Sequence, residues 1–409
     1  MALQKKESIP MIKVEKAREK ILSHIKALPP RKVSLEGALG TFLAEDICSA
    51  IDIPMQDNSA MDGYALRTED INDAPTRLNV IYDLPAGYMP QRGITRLETV
   101  RIMTGAPIPP GADAVVKRED TEELGNEVII KKAPKKMENI RFKGEDLKKD
   151  SVVLERGSYI GPAQMGILAS IRRFLVHVHQ RPLVAILSTG DEILDMDQDI
   201  SQGKVYASNS YTMIGMVLAL GAEPLYLGIA QDNKEDLEKK LGQACRADLI
   251  LTSGGVSMGD YDLVKEIMTQ GSNSMEFWKV EMKPGKPLAF GMINHIPAIG
   301  LPGNPVSTMV SFYQFARPAI LKMMGSLDIE PPRVRARLMQ EIKKKTDRRH
   351  YVRGVLKMEN QELCVYPSGP QGSGILSSMA KGNCFIVLPK QVAVATQGDM
   401  VACEIFQGI

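Results

Sequence analysis

The chain has 409 residues, more than one ordinary hydrophobic core holds, so we expect several domains. Its 51 Lys and Arg residues nearly balance its 49 Asp and Glu residues and aromatic residues make up 5%, which argues against a nucleic-acid binder. The sequence has no apolar run long enough to span a bilayer, and its five cysteines form no C-x-x-C pair, so we expect a cytoplasmic protein with reduced thiols and no membrane contact.

The first elements predict a mixed domain interrupted by a β-rich insertion. Apolar residues recur at helical spacing before a Pro-Pro stop signal, at Val14, Ala17, Ile21, Leu22, Ile25 and Leu28. Residues 52–150 are rich in Pro, Gly and short β-branched runs, which indicates a compact β domain. Residues 151–182 contain a helical pattern, and we expect them to join residues 1–51 in one discontinuous helical and β domain.

From residue 183 onward, buried-type strands alternate with helices. The strands are LVAILS, LYLGIA, DLILTS, LAFG and IPAIGL, FWKVEM is extended, and helical patterns cover about 209–220, 232–246, 261–268 and 305–324. This rhythm predicts a doubly wound, mainly parallel sheet with helices on both faces, over residues 183–328. Pro331 and Pro332 mark a linker, and the frequent Gly and Pro of residues 329–409 predict a small β-barrel or sandwich.

The segment NSAMDGYA, residues 58–65, has the composition of a ligand-binding loop. Asp62 offers a hard oxygen ligand, and Gly63 permits positive φ, so the main chain could approach a metal or a phosphate closely. An ordinary Asp-Gly turn between strands is the alternative explanation.

Three more loops follow strands of the predicted sheet, at the edge where such sheets bind ligands. They are STGDE after the first strand, TSGGVSMGDYD after the third and LPGNPVS after the last. Gly254 and Gly255 let backbone N–H groups turn toward phosphate oxygens, and Ser253 and Ser257 add hydroxyl donors. A tight turn that only needs flexibility is the competing interpretation.

Carboxylates and lysines occupy the same region of the sequence. The acidic residues are Asp191, Glu192, Asp232, Asp260 and Asp262, and their oxygens favour Mg²⁺ over zinc. Asp232 and Asp260 could instead be helix N-caps. In a strand leading into a turn, Lys279 and Lys283 share one face, and Pro284 and Gly285 bring Lys286 near them, which suits a substrate with several negative oxygens. A solvated lysine face is the alternative.

Seven motifs in this order resemble the molybdopterin molybdenumtransferase family, whose animal relative is the E domain of gephyrin. They are NSAMDGYA, RIMTGAPIPPGADAVV, RFKGED, STGDE, TSGGVSMGDYD, KPGKP and LPGNPVS, and the resemblance covers nearly the whole chain. It implies a homodimer of elongated four-domain subunits, in which the central α/β domain holds the pterin nucleotide. The implied reaction joins adenylated molybdopterin and molybdate, with Mg²⁺, to give molybdenum cofactor and AMP.

The resemblance also implies roles for individual residues. The implied catalytic residues are Asp62, Thr104, Asp146, Glu192, Asp232 and Asp262, of which Glu192, Asp232 and Asp262 act through the metal. The predicted substrate-binding residues are Arg141, Ser188, Thr189, Gly190, Ser253, Gly254, Gly255, Ser257, Lys279, Lys283, Lys286, Pro302, Pro305 and Ser373. The family pattern brings Asp62, Thr104 and Asp146 to the cleft from the partner subunit.

Two other functions fit parts of this pattern. A molybdopterin adenylyltransferase shares the α/β domain, but needs only about residues 183–328. A gephyrin-like scaffold would keep the fold and bind a partner without catalysis, although here the acidic and basic sets are intact. For the transferase we expect transient contacts with the adenylyltransferase and with acceptor molybdoenzymes.

Overall fold

The structure is a computed structural model that describes residues 11–255, 263–270 and 273–407. Contacts divide the chain into two compact units. Unit 2 comprises Glu45–Arg156 and Gln164–Phe174, and unit 1 comprises the described residues of Met1–Ala44, Gly157–Ala163 and Leu175–Ile409. Among the described helices, none is both long enough and apolar enough to cross a membrane.

Residues 11–174 contain three α-helices and eleven β-strands. They are α1 (Val14–Ser23), β1 (Pro30–Ser34), α2 (Leu35–Ala38), β2 (Ile47–Cys48), β3 (Asn58–Ser59), β4 (Gly63–Leu66), β5 (Thr76–Leu84), β6 (Glu98–Ile102), β7 (Ala114–Lys117), β8 (Thr121–Leu124), β9 (Glu127–Ile130), β10 (Ile140–Arg141), β11 (Val152–Leu154) and α3 (Pro162–Ser170). The predicted amphipathic helix is confirmed, because α1 buries Val14, Ala17 and Ile21 on one face.

The predicted β-rich insertion is also present. Its sheet has the strand order β7-β4-β6-β5-β9-β8, and only the β5–β6 pair is parallel. In β4, Tyr64 and Leu66 pack in one hydrophobic cluster and Ala65 packs in another. Because side chains alternate along a strand, this sheet is covered on both faces.

The central part alternates strands and helices as predicted. Its elements are β12 (Leu175–His179), β13 (Leu183–Thr189), β14 (Ile193–Leu194), β15 (Val205–Tyr206), α4 (Ser208–Ala219), β16 (Glu223–Ala230), α5 (Lys234–Gln243), β17 (Leu249–Ser253), α6 (Leu263–Met268), β18 (Ser274–Lys279), β19 (Met282–Lys283), β20 (Pro287–Ile293), β21 (Ile296–Leu301), α7 (Pro305–Ser311) and α8 (Arg317–Met323). A π-helical turn, Phe312–Ala316, joins α7 to α8.

The central sheet has the order β16-β13-β17-β21-β20-β18, in which the first four strands are parallel. Strand β13 is buried on both sides: Val184 and Ile186 belong to the cluster that includes α4 and α7, whereas Ala185 and Leu187 belong to the cluster that includes α5. The prediction of a doubly wound, mainly parallel sheet is therefore confirmed, and its carboxyl edge carries the loops described below.

The last part forms a closed barrel of five strands. Its elements are β22 (Arg333–Leu338), β23 (Ile342–Lys343), β24 (Arg349–Glu359), β25 (Glu362–Pro367), α9 (Ser377–Lys381), β26 (Cys384–Leu388), β27 (Val394–Ala395) and β28 (Met400–Ile405). The ring runs β24-β25-β22-β28-β26 and closes through the β24–β26 pairing. The barrel alternative of the prediction is the one observed.

One open alternative and one local prediction were wrong. Asp232 does not cap helix α5, because the cap is Asn233, whose side chain accepts a hydrogen bond from the Asp236 amide. The segment FWKVEM is not one strand: the chain turns between β18 and β19, where the Met282 amide donates to the Val280 carbonyl at 2.8 Å. Strand β19 then pairs with β24 of the barrel, so Lys279 and Lys283 lie in different sheets.

Candidate functional site

Three parallel strands end side by side and form the walls of a cavity. Strands β13, β17 and β21 end at Thr189, Ser253 and Leu301, and the loops that follow them converge as predicted. The cavity has a volume of about 320 Å³ and is lined by Ser188, Thr189, Glu192, Ile193, Val205, Tyr206, Ala207, Ser208, Asn209, Ser253, Gly254, Gly303 and Pro305. The structure thus brings together six predicted site residues: Ser188, Thr189, Glu192, Ser253, Gly254 and Pro305.

Gly254 is required by the close approach of two of these loops. Its φ is +90°, and a Cβ there would lie 2.6 Å from the Thr189 carbonyl oxygen and 3.0 Å from Thr189 Oγ1. The Gly254 amide donates to the Leu301 carbonyl at 3.3 Å. All three loops therefore meet at this glycine, and a side chain at this position would separate them.

Asn209, at the start of α4, links the same loops and was missed in the sequence. Its Nδ2 lies 2.8 Å from Ser253 Oγ and 2.7 Å from the Gly303 carbonyl oxygen. The partners lie 44 and 94 residues away along the chain. The signal in the sequence was only a polar Ser-Asn-Ser run at the beginning of a helix, which is common at helix starts.

Several buried polar atoms around this cavity lack hydrogen-bond partners in the described part of the chain. They are Thr189 Oγ1, Thr252 Oγ1 and Asn209 Oδ1. Thr189 is 7% exposed and Thr252 is fully buried, so bulk solvent does not reach these hydroxyl groups freely. Unpaired buried groups cost roughly 1–3 kcal/mol each, which makes a cluster of three unusual outside a binding site.

The acidic residues fall into two groups. Asp191 and Asp232 bind each other's backbone: the Asp232 amide donates to Asp191 Oδ1 at 2.9 Å, and the Asp191 amide lies 3.4 Å from Asp232 Oδ2. The Glu192 carboxylate has no hydrogen bond or ion pair with the residues described. Ser257, Asp260 and Asp262 lie outside the described residues. Among residues 11–255, 263–270 and 273–407, no three His, Cys, Asp or Glu side chains form a metal-binding group.

A second cavity of about 710 Å³ shares Ile193 with the first. Gly190, Asp191, Lys204 and Gln231 contribute to its lining. Beside them, Asp195 accepts hydrogen bonds from the Tyr211 hydroxyl at 2.8 Å, the Tyr226 hydroxyl at 3.0 Å and the Met196 amide at 2.8 Å.

These hydrogen bonds favour the ionised form of the Asp195 carboxylate. Burial alone would raise the pKa of Asp195, but the Met196 amide and the two tyrosine hydroxyls hold that pKa below its ordinary value. Burial, together with the Asp195 charge, raises the pKa of Tyr226 to about 12. Asp195 therefore stays ionised, and it ties the loop that carries Asp191 and Glu192 to α4 and β16.

The three predicted lysines belong to one hairpin, which runs from Lys279 to Lys286. The Val280 amide donates to the Lys286 carbonyl at 3.0 Å, so the backbones of Lys279 and Lys286 are neighbours. Lys279 Nζ lies 4.6 Å from the centre of the Trp278 ring. Lys283 pairs in register with His350 of β24. The lysines are therefore grouped by a hairpin, and not by one strand face as the sequence suggested.

The barrel contributes a loop next to helix α7. The Ser373 carbonyl accepts a hydrogen bond from the Val306 amide at 3.0 Å, one residue after Pro305. This loop is held by Arg353, which is 1% exposed and donates to the carbonyls of Pro370 and Gly372. Burial lowers the pKa of Arg353 to about 10, and no described carboxylate pairs with it. The Pro302 carbonyl accepts from Thr308 within the same helix start, at 2.6 Å.

In unit 2, Asp62 and Thr104 form a tight pair. Asp62 Oδ1 accepts from both the Thr104 amide and the Thr104 hydroxyl, each at 2.7 Å. The amide bond, followed by the hydroxyl bond, holds the pKa of Asp62 below its ordinary value. Ser59 connects this pair to the RFKGED motif. Its carbonyl accepts a hydrogen bond from the Gly105 amide, and its strand, β3, pairs with β10, which contains Arg141.

The glycine of NSAMDGYA has a different role from the one predicted. Gly63 does not adopt positive φ; it begins β4, and a Cβ would lie 1.9 Å from the Val116 carbonyl oxygen. It is needed because β7 lies too close for a side chain. Elsewhere in unit 2, Arg141 and Asp146 line a cavity of about 530 Å³ with Ile53, Pro54, Asn58 and Glu145, and Asn58 Oδ1 is buried without a described partner.

Fold and site together define a multidomain protein whose central domain is a doubly wound sheet with a cavity at its carboxyl edge. Comparison with known families agrees part by part. Residues 12–171 match the MoeA N-terminal region (domain I and II), residues 185–322 match the probable molybdopterin binding domain, and residues 335–406 match the MoeA C-terminal region (domain IV).

The chain belongs to the molybdopterin molybdenumtransferase family, also called MoeA. It is 38% identical over 402 residues to the molybdopterin molybdenumtransferase of Haemophilus influenzae, covering 97% of this chain and 99% of that one. The Nostoc sp. relative of the same name is 37% identical over 367 residues, covering 87% and 84%. The crystal structure of the molybdopterin biosynthesis moeA protein from Pyrococcus horikoshii OT3 is similar with a TM-score of 0.83 and 29% identity, over 97% of this chain and 100% of that one.

Proposed function

We propose that this protein inserts molybdate into adenylated molybdopterin and releases AMP, which gives molybdenum cofactor. The observation that carries this proposal is the cavity at the ends of β13, β17 and β21, whose wall combines Glu192, Ser253, Gly254 and Pro305. Relatives of known name at 38% and 37% identity support the reaction type.

The two cavities of the α/β part suit a substrate with two halves. They share Ile193, and their volumes of about 320 and 710 Å³ exceed the roughly 300 Å³ at which small-molecule sites begin. We propose that the pterin and the adenosine occupy them from either side of the pyrophosphate. The loop from Gly190 to Glu192 then lies beside the bond that breaks.

The lysines would hold the second substrate. Molybdate is a tetrahedral dianion, and ammonium groups attract it without requiring a planar arrangement of donors. Lys279 and Lys286 begin and end one hairpin and Lys283 lies between them, so the hairpin presents three positive charges. Ser373 lies on the barrel loop that contacts the start of α7. We propose that it limits how far the substrate extends toward the barrel.

The carboxylates fit Mg²⁺ in its usual mode at phosphate sites, in which one or two carboxylates and the substrate's phosphate oxygens bind the ion. Glu192 lines the cavity and has no described partner, and the bonds of Asp232 within the described part of the chain are those to Asp191. We propose that Glu192, Asp232 and Asp262 hold the ion. When bound, Mg²⁺ would polarise the pyrophosphate oxygens.

The test incubates the purified protein with adenylated molybdopterin, Mg²⁺ and molybdate, and measures AMP release together with molybdenum bound to the dithiolene. We expect both products only when molybdate is present. Glu192→Gln should reduce turnover about 100-fold or more, as loss of a key electrostatic group typically does. Glu238→Gln, which changes an exposed carboxylate of α5, is the matched control.

Other results would assign another function. Adenylation of free molybdopterin with ATP, without molybdate-dependent AMP release, would make the protein an adenylyltransferase. Inactivity in both reactions, with folded protein, would favour a gephyrin-like scaffold.

We further propose a cytoplasmic homodimer with a cleft shared between subunits, four domains with the boundaries given above, and transient contacts with the adenylyltransferase and acceptor molybdoenzymes. The shared cleft has a direct test. Asp62→Asn and Glu192→Gln homodimers should each be nearly inactive. An equal mixture should regain about a quarter of wild-type activity, because half of the dimers are mixed and each has one intact site. No regained activity in exchanged dimers would mean that each site belongs to one chain.

A further inference from the structure

The amide of Asn209 is oriented by its partners. Gly303 offers a carbonyl oxygen, which only accepts, so the atom 2.7 Å from it must be the NH₂ group. The second N–H of that group is directed to Ser253 Oγ at 2.8 Å. Both donors are therefore used within the protein, and the amide orientation follows from chemistry.

The remaining atom, Oδ1, is an acceptor without a partner in the described part of the chain. It is shielded from water, although Asn209 itself lines the cavity of about 320 Å³. Leaving such an acceptor unpaired is unfavourable, because the buried oxygen has lost its hydrogen bonds to water. A ligand that brings an N–H group to this wall recovers that cost on binding, after a small adjustment of the loops.

The chemistry of the ligand follows from the atom that is free. An amide oxygen repels phosphate and molybdate oxygens, which are also acceptors, so Oδ1 itself does not bind the anionic part of the substrate. A nitrogen heterocycle with an exocyclic amino group supplies the matching donor, much as Asn side chains pair with adenine in nucleic acids. Both pterin and adenine carry such a group.

We propose that Asn209 Oδ1 accepts a hydrogen bond from the amino group of a heterocycle of the substrate, and so selects the ring that enters this cavity. The inference rests on the proposed function and deepens it. The Asn209 amide nitrogen also connects the TSGG and LPGN loops through its bonds to Ser253 and Gly303. These two bonds hold Oδ1 in a fixed position in the cavity wall.

The experiment compares ligands that differ only by the amino group. Dissociation constants are measured by calorimetry for AMP and for purine riboside monophosphate, and for pterin and its desamino analogue. In the wild-type protein, one of the two pairs should show about 5- to 10-fold weaker binding when the amino group is absent. That pair identifies the ring. In Asn209→Ala, the same pair should differ less than about twofold.

The ligand comparison separates recognition from a purely structural tie. If Asn209 were only a structural tie, Asn209→Ala would raise the dissociation constants of both ligands in a pair by the same factor. That result would overturn the proposal. An equal effect of the amino group in wild-type and variant proteins, or no effect in the wild-type protein, would also overturn it. Absence of molybdate-dependent AMP release, together with no binding of AMP or pterin, would mean that the proposed function itself fails and the inference with it. AMP release without any effect of the amino group on binding would overturn the inference alone. The wild-type comparison stands even if Asn209→Ala does not fold.

Discussion

Replacing Gly254 by alanine tests whether the close approach of the cavity loops matters. At φ +90° the alanine backbone is strained by roughly 1–2 kcal/mol. The new methyl group would also lie 2.6 Å from the Thr189 carbonyl oxygen, and relieving that contact in a packed region costs about 1–3 kcal/mol more. We therefore expect Gly254→Ala to lower the free energy of unfolding by about 2–5 kcal/mol, by summing these two effects.

The chain offers a matched control at Gly203. Its φ is +81°, and a Cβ there would meet no atom within 4 Å. Gly203→Ala should therefore cost only the backbone strain, roughly 1–2 kcal/mol. The difference between the two variants measures the contact between the Thr189 and Gly254 loops.

Urea unfolding of both variants gives the stabilities, and calorimetry gives the affinity for AMP. If the loops relax instead of storing strain, the cavity changes shape, and Gly254→Ala should bind AMP at least about tenfold more weakly than Gly203→Ala, as sub-ångström displacements in sites commonly do. Equal stabilities together with equal AMP affinities in the two variants would refute the reasoning.

Three further predictions concern single interactions. Thr104→Val removes the hydroxyl bond to Asp62 but keeps the amide bond, so the pKa of Asp62, followed by carboxyl-carbon NMR, should rise only partway to its ordinary value. Tyr226→Phe removes a bond to the ionised Asp195 and should lower the free energy of urea unfolding by about 1–3 kcal/mol. The pKa of His350 is lowered, by burial first and then by the charges of Lys344 and Lys283 against the opposing Asp347. Unfolded His350 therefore binds a proton more readily, and the unfolding free energy should fall below about pH 6.5, in urea titrations, more in wild type than in His350→Gln.

Each of these predictions has an outcome that contradicts it. An Asp62 pKa that reaches its ordinary value in Thr104→Val would mean that the amide bond contributes nothing. A Tyr226→Phe variant as stable as wild type would mean that the Tyr211 hydroxyl and water suffice for Asp195. Parallel pH profiles for wild type and His350→Gln would show that His350 does not titrate differently on folding.

Much of the fold follows from local patterns in the sequence. The apolar run of β13 and the glycines after it predicted a strand buried on both faces and a loop beyond its carboxyl end, and both are present. Parallel strands place their carboxyl ends at one edge of a sheet, so the sequence alone predicts that Thr189, Ser253 and Leu301 lie close together. The resemblance of the seven motifs to the transferase family agrees with the relatives found.

The departures come from partners far apart in the sequence. Gly63 looked like a turn residue, yet it is required because the backbone of β7, more than fifty residues later along the chain, passes against it. The sequence predicted that Lys279 and Lys283 share one face of a strand. In the structure the chain turns between them, and β19 pairs with β24 of the barrel.

Sequence alone predicted the alternating strands and helices of the central sheet and the loops that follow them, because hydrophobic periodicity and glycine placement act locally. Only the tertiary structure decided what each polar side chain contacts. Asn209 is bonded to residues 44 and 94 positions away, and Arg353 is buried against carbonyls of the Ser373 loop without a described carboxylate partner. Such contacts depend on how separate segments pack, and no local pattern in the sequence records that.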